Sequence, residues 1–311
     1  MVSGARAHDR GAVTPRRTLA PAVLLALAVL AGCGQSDGAV DQSPAGSSAD
    51  PSSGAPTEAS EAVDPTTGPD ETGTVAVPVY FVGDTPQGPR LYREFRTVED
   101  DNPLEEAVAL MTAGDAEDPD YRTAYPGGSF SSVSFDGDRF VVEVPDDGWM
   151  APGDLSEDEA TLALQQLVYT VQGVQQERAP VEVVLDGQAT FLFGEDTEGG
   201  VSNADPLDVL ALVNVTTPEE GAPVSGSFTA SGVASSFEAT VPWQILTGSG
   251  DVELEGFATA EGWMDKLYPW ETEIDVSSLD PGLYTFVART DDPSGGEGGG
   301  PTEDTKVIDV S

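Results

Sequence analysis

The residues of this chain able to do covalent or acid–base chemistry are few in kind. Cys33 is the only cysteine and His8 the only histidine among 311 residues, against 55 aspartates and glutamates and 13 lysines and arginines. A lone thiol has no partner for an intramolecular disulfide, so its chemistry is that of a nucleophile accepting a group. Ser-His-Asp and Cys-His catalysis need an imidazole, and zinc sites draw mainly on cysteine and histidine. Paired carboxylates can hydrolyse glycans and oxygen-rich loops can hold calcium, but acids are too abundant here for composition to single any out. Trp243, Trp263, Tyr268 and Trp270 form a further set, able either to make a contact platform or to fill a core.

The surroundings of Cys33 define its role. Leu19 to Leu30 reads LAPAVLLALAVL, an uncharged run with Arg16 and Arg17 in front and Arg6 and Arg10 further back. A basic start, a short apolar stretch and small residues at the cut describe an export signal. A span needs roughly 20 apolar residues, so the run is too short to cross a bilayer. Leu30-Ala31-Gly32-Cys33 resembles the lipobox of bacterial lipoproteins. That resemblance implies cleavage before Cys33, lipidation of its thiol and retention on the outer face of the cytoplasmic membrane. One acyl chain holds marginally and stable anchoring takes two signals; a mature lipoprotein carries two or three chains. Arg16-Arg17 gives a faint twin-arginine look, but the residues after it fit Sec export better.

Removing residues 1–32 takes away Asp9, four arginines and His8, leaving 54 acids against 9 bases and no histidine. Such a chain repels phosphate backbones, which excludes nucleic acid as a partner. Anionic headgroups and wall polymers repel it too, unless divalent cations bridge them. The acidity reads first as a strongly solvated surface. Abundant alanine, glycine, valine and aspartate with scarce lysine suggest a high-GC bacterium of the actinobacterial kind. The expectation is a protein without a cofactor and without catalysis.

The elements that position everything else begin late. Gly34 to Thr74 is built mainly from Ser, Pro, Gly, Asp, Glu, Ala and Thr, with no aromatic residue. It has too little apolar surface to offset ordering entropy. As a flexible linker it averages about 35 Å end to end. From Val75 the pattern changes. Val75 to Asp84 and Leu91 to Glu99 read as strands. Asn102, Pro103 and Glu105 start a helix whose stripe is Leu104, Ala107, Val108 and Met111, with Gly114 as its stop. A hairpin follows, Ser132 to Phe135 and Arg139 to Val144 around Asp136-Gly137. Ser156 and Glu159 form a capping box for a second helix faced by Ala160, Leu164, Leu167, Val168 and Val171, with Gly173 as its expected stop. Pro180 to Gly187 is a closing strand.

These residues carry a resemblance. The opening Val79 to Phe81, the PLEEAVALM helix, the hairpin, Leu167 to Val174 and Val181 to Gln188 are similar to the GerMN domain of bacterial spore-germination proteins and actinobacterial lipoproteins. The resemblance covers about residues 75–197. It implies an α+β fold of ββαββαβ order and contact with protein or wall rather than catalysis. Tyr169 and Thr170 are expected to pack and cap.

Glu195 to Asp208 reads as a short polar hinge and domain boundary. Beyond it, residues 206–311 show seven candidate strands: 210–215, 224–229, 237–245, 252–259, 269–276, 283–290 and 305–310. Short strands between Gly/Pro/Asp turns argue a β-sandwich. Its core is expected from Phe228, Phe237, Trp243, Phe257, Ile274 and Phe286. Leu279 to Tyr284 resembles a tyrosine corner. Gly226 to Ile245, Gly256 to Trp263 and Pro281 to Gly298 resemble the immunoglobulin-like domain of bacterial spore germination, the module that often follows GerMN. The chain is thus laid out as a signal peptide (1–32), a lipidated cysteine with an acidic linker (33–74), a GerMN-like domain (75–197) and an all-β immunoglobulin-like sandwich (206–311).

The expected function is a membrane-anchored binding or scaffold module of the cell envelope, linked to sporulation or germination, with envelope protein or wall as partner. The other classes are a carboxylate hydrolase of wall glycan and a calcium-dependent adhesin. In the sandwich, partner contact is placed on Trp263, Tyr268 and Trp270, together with the glycine-rich loop from Asp291 to Asp304 that carries Asp291, Asp292 and Glu297. No metal or catalytic residue is assigned.

Overall fold

Val77, Val79 and Phe81 alternate down the first strand, and all three are buried, as a half-covered strand of period two requires. The computed structural model describes residues 73–297 and 299–311. The signal peptide, Cys33 and the linker lie outside the described residues. Among the described residues no helix is long and apolar enough to cross a membrane.

The first module runs β1 (Thr74–Thr85), β2 (Gly88–Glu99), α1 (Pro103–Ala113), β3 (Ser132–Phe135), β4 (Phe140–Glu143), α2 (Glu157–Gln175) and β5 (Val181–Leu185), followed by short strands β6 (Gln188–Ala189), β7 (Phe191–Leu192) and β8 (Glu195–Asp196). β1 and β2 form an antiparallel ribbon, while β3, β4, β5 and β6 form a second sheet in that order. β4 and β5 are parallel, and α2 is the crossover that such a pair requires.

α2 is the central staple of this module. The capping box at Ser156 and Glu159 forms as its spacing predicts. The expected stop at Gly173 does not occur: the helix continues to Gln175, and Gln176 takes the left-handed conformation. Gly173 instead lets helix and ribbon touch, since a Cβ there would sit 2.7 Å from Pro78 Cγ. Burial also reaches beyond one face, taking in Ala160 and every residue from Leu162 to Gln172, so polar residues inside must find partners. Gln166 donates to the Tyr80 carbonyl and accepts from Ala124 N–H. Thr170 Oγ1 accepts from Tyr80 N–H. At α1, Gly114 closes the helix in the left-handed region. Asn102 makes no side-chain cap bond there; its amide is spent on the Glu105 carboxylate.

The segment expected as a hinge is tied down. Thr197 Oγ1 accepts from Val183 N–H on β5 and donates to Thr190 O just after β6. Val201 pairs with Val181, and the Ala204 carbonyl accepts from Tyr169 Oη at 2.7 Å. A short helix α3 (Pro206–Val209) then leads into the second module.

That module holds eight strands, one more than the sequence pattern suggests: β9 (Val213–Thr217), β10 (Ala222–Val224), β11 (Ser227–Ala234), β12 (Thr240–Leu246), β13 (Val252–Thr259), β14 (Tyr268–Asp275), β15 (Gly282–Arg289) and β16 (Glu303–Val310). They make a five-stranded sheet ordered β10-β16-β15-β12-β13 and a three-stranded sheet ordered β14-β11-β9. The single strand expected over 224–229 divides at Gly226, whose φ is +64°, so its halves enter different sheets. Phe228 and Phe286 meet edge-to-face across the sandwich at 6.1 Å. Tyr284 Oη donates to the Asp280 carbonyl at 3.0 Å, the bond of a tyrosine corner. Two expected core residues are not core: Phe237 is 40% exposed and Phe257 67%. On β13 the covered positions are Leu254, Gly256 and Ala258, and Gly256 leaves the space that the Trp243 ring fills. Phe257 therefore falls on the opposite parity.

Candidate functional site: the junction of the two modules

The described residues all belong to one compact unit, and its most chemically loaded place is the seam between the modules. Backbone pairing starts it: Leu91 bridges to Leu210, and Ala211 N–H donates to the Leu91 carbonyl at 2.9 Å. Asn214 on β9 reads both sides, its Oδ1 accepting from Arg93 N–H at 3.1 Å and its Nδ2 donating to Asp304 Oδ2 at 2.9 Å.

At the centre lies a buried ionic cluster of Lys306, Asp118, Asp304 and Tyr121. Lys306 is 4% exposed, Asp304 3% and Asp118 1%. Asp304 and Lys306 are two residues apart on β16, so their side chains share a face. Asp118 and Tyr121 come from the loop after α1. The ammonium of Lys306 donates to Asp118, to Tyr121 Oη at 2.9 Å and to Asp304 Oδ1 at 3.1 Å. Its three N–H groups are therefore all used. Tyr121 Oη donates to Asp304 Oδ1 at 2.7 Å, and Asp120 N–H donates to Asp118 Oδ1 at 2.8 Å. Lys306 also lies over the Tyr121 ring, 4.5 Å from its centre. That ring stacks on Tyr92 at 4.9 Å, and Tyr92 Oη donates to the Glu303 carbonyl.

Lysine, tyrosine and two aspartates in one place have the types of an acid–base site, but the electrostatics give them another role. Burial lowers the Lys306 pKa, and the carboxylates of Asp304 and Asp118 more than offset it, so the ammonium is held charged. Burial raises Asp118 against the pull of Lys306. Burial, and after it the nearby aspartates, push both tyrosines up. A catalytic lysine or tyrosine must lose its proton near the working pH, and these are pushed the other way. The cluster is a lock between modules.

The residues expected to meet a partner divide. Trp270 is 3% exposed and belongs to the core of the sandwich, so it is removed from the contact set. Trp263 is 37% exposed and lies edge-to-face against Phe237 at 5.1 Å. Tyr268 is half-buried, its hydroxyl bonded to Asp265 and its ring covered by Lys266 at 4.7 Å. Asp291 N–H donates to Ser236 Oγ at 2.7 Å, which sets the start of the loop next to Phe237. Asp292 turns its carboxylate onto its own loop, accepting from Ser294 and from Gly296 N–H; the Ser294 bonds hold its pKa down. Glu297 is exposed. The far end of the loop leaves the aromatics and meets the other module, where Gln87 donates to the Gly300 carbonyl at 2.9 Å. Glu303 and Asp304 belong to β16 rather than to the loop. Three carboxylates that do converge are Glu99, Asp101 and Glu106, before and within the first turn of α1, where the helix dipole favours acids.

The sequence patterns missed the lock entirely. The Asp118–Tyr121 loop, Asn214 and Lys306 are far apart in the chain, and the one available cue was the scarcity of lysine. Lys306 stands on the covered face of its strand, between Asp304 and Ile308.

With the geometry set out, comparison with known proteins gives the modules their kinds. Residues 78–190 match the family model described as sporulation and spore germination. Residues 212–297 match that of the immunoglobulin-like domain of bacterial spore germination. The chain thus matches models of two germination-associated domains in tandem. No curated protein matches. The tandem GerMN domains of the sporulation protein GerM from Bacillus subtilis are 15% identical over 45% of this chain, with a TM-score of 0.34; the chain spans 50% of that structure's length. An engineered protein is 14% identical over 48% of this chain and 36% of its own, with a TM-score of 0.26. CopC from Methylosinus trichosporium OB3b is 20% identical over 32% of this chain and 93% of its own, with a TM-score of 0.22.

Proposed function

We propose that this protein is an exported lipoprotein, anchored through Cys33 to the outer face of the cytoplasmic membrane. There it acts as a non-catalytic binding or scaffold module for an envelope protein or the cell wall in sporulation or germination. The observation that carries this reading is the tandem of two germination-associated domains. Their junction supports it: its titratable groups are spent on one another, and the pair is presented as one body. The lipobox-like Leu30-Ala31-Gly32-Cys33 supplies the anchor, and the acidic linker holds the folded part away from a repelling surface.

Membrane fractionation of Cys33→Ala tests the anchor. The variant should leave the membrane fraction; unchanged partitioning and processing would refute lipidation at this thiol. Crosslinking in intact cells with mass spectrometry tests the role, and should recover an envelope protein or wall fragment. Release of muropeptides from purified wall by the chain lacking residues 1–74 would replace this reading with the hydrolase.

A further inference from the structure

Cations are scarce here, and most have carboxylate partners. Arg96, Arg122, Arg139, Arg289 and Lys306 all lie within 4.0 Å of an acid. Among the described residues no such ion pair forms at Arg90, Arg93, Arg178 or Lys266, although acids outnumber bases 55 to 13. Of these, Arg93 and Arg178 line the same groove, about 450 Å³ in volume, between the outer face of the β1–β2 ribbon and the C-terminal part of α2.

Both are held by rings rather than by acids. The Arg93 guanidinium lies 4.7 Å from the Phe95 centroid, and that of Arg178 5.9 Å from Tyr169. Tyr80 packs on Tyr169 at 5.4 Å. Their hydrogen bonds go to neutral groups, Thr216 Oγ1 for Arg93 and Gln172 Oε1 for Arg178, each at 3.3 Å. Arg93 Nε is buried with no acceptor at all. Val75 and Phe95, exposed at 39% and 40%, put apolar surface in the same groove. A guanidinium stacked on a ring with free donors is pre-organised to take a carboxylate.

We propose that this groove binds a short peptide carrying one or two carboxylates beside an apolar side chain. The overall charge selects against longer anions. A polyanion extending beyond the groove meets the acidic surface and is repelled, whereas a compact carboxylate meets only the two arginines. The proposal deepens the binding role above, but its test needs neither anchor nor envelope. Failure here leaves the fractionation result standing, and the converse also holds.

Calorimetry and NMR titration of the full-length chain in detergent, with three peptides, form the test. Acetyl-Leu-Phe-Glu offers a side-chain and a terminal carboxylate, its C-terminal amide offers the side chain alone, and acetyl-Leu-Phe-Gln amide offers none. At least one charged peptide should bind about tenfold or more tightly than the neutral one, and the amide shows which carboxylate is read. Arg178→Gln, at an exposed position, should weaken binding by about tenfold without moving the melting temperature, and Phe95→Ala should weaken it too. Equal binding of the neutral peptide, unchanged affinity in a folded Arg178→Gln, or no response to any peptide at millimolar concentration would each overturn the proposal.

Discussion

Replacing Lys306 by methionine tests the lock directly, since methionine keeps much of the stem and removes the charge. The loss can be worked out from the contacts. Asp118 and Asp304 are both within reach of the ammonium and almost fully buried, so the variant leaves two carboxylates facing each other without a cation. Removing one partner of a buried pair costs about 3–5 kcal/mol. For a unit of this size that lowers the melting temperature by about 6–20 °C. A second change separates charge from packing. Asp118→Asn keeps an acceptor for Asp120 N–H and removes one orphan charge, so the double variant should be more stable than Lys306→Met alone. The pH profile makes the same distinction. Lys306 has a raised folded pKa, so its contribution is complete below the ordinary lysine value and is lost only as pH rises through the folded one. In its absence Asp118, already pushed up by burial, takes up a proton on folding. Stability then rises as pH falls toward its folded value. The gap between wild type and variant should therefore narrow on acidification from neutral pH. Thermal melts over that range give the measurement. A loss below about 1 kcal/mol, or a gap that does not change with pH, would refute a charged lock.

Two further substitutions check the packing. Gly173→Ala raises helix propensity by about 1 kcal/mol but drives a Cβ into Pro78. Overpacking of about 1–3 kcal/mol should dominate, and the denaturant midpoint should fall. Trp270→Ala should cost about 3–5 kcal/mol, whereas Trp263→Ala, on the surface, should cost about 1 kcal/mol or less; equal losses in thermal melts would refute the placement of the two rings.

Where the sequence signal is local, structure and pattern agree. The capping box at Ser156 needs only four consecutive residues, and Gly114 needs only the end of its own helix. The tyrosine corner likewise depends on Asp280 and Tyr284, four positions apart. Disagreement begins where a residue answers to something distant. Gly173 looks like a helix stop by composition, yet its constraint comes from Pro78, 95 positions earlier. Phe257 looks like core by type, but Trp243 on the next strand occupies the inward space. Trp270 and Trp263 are alike in kind and close in sequence, but Trp270 takes an inward position on β14 while Trp263 lies in the loop before that strand.

The lock is the extreme case of this dependence. A single lysine in a β-strand is ordinarily a solvated edge residue or a guard against edge pairing. What makes Lys306 different is that β16 presents it, beside Asp304, to a loop from the other module. That loop brings the second aspartate and a tyrosine, so no window of sequence contains the reason for the charge. The same holds for Arg93 and Arg178. Each is unremarkable alone, and the meaning lies in the ion pair that neither makes in a chain so rich in acids. At the lock the acids are spent on holding two modules together; at the groove they are missing, and the arginines stay available. A protein this acidic can select a compact anion only where its own acids stay away, and the β1–β2 ribbon packed on α2 provides such a place.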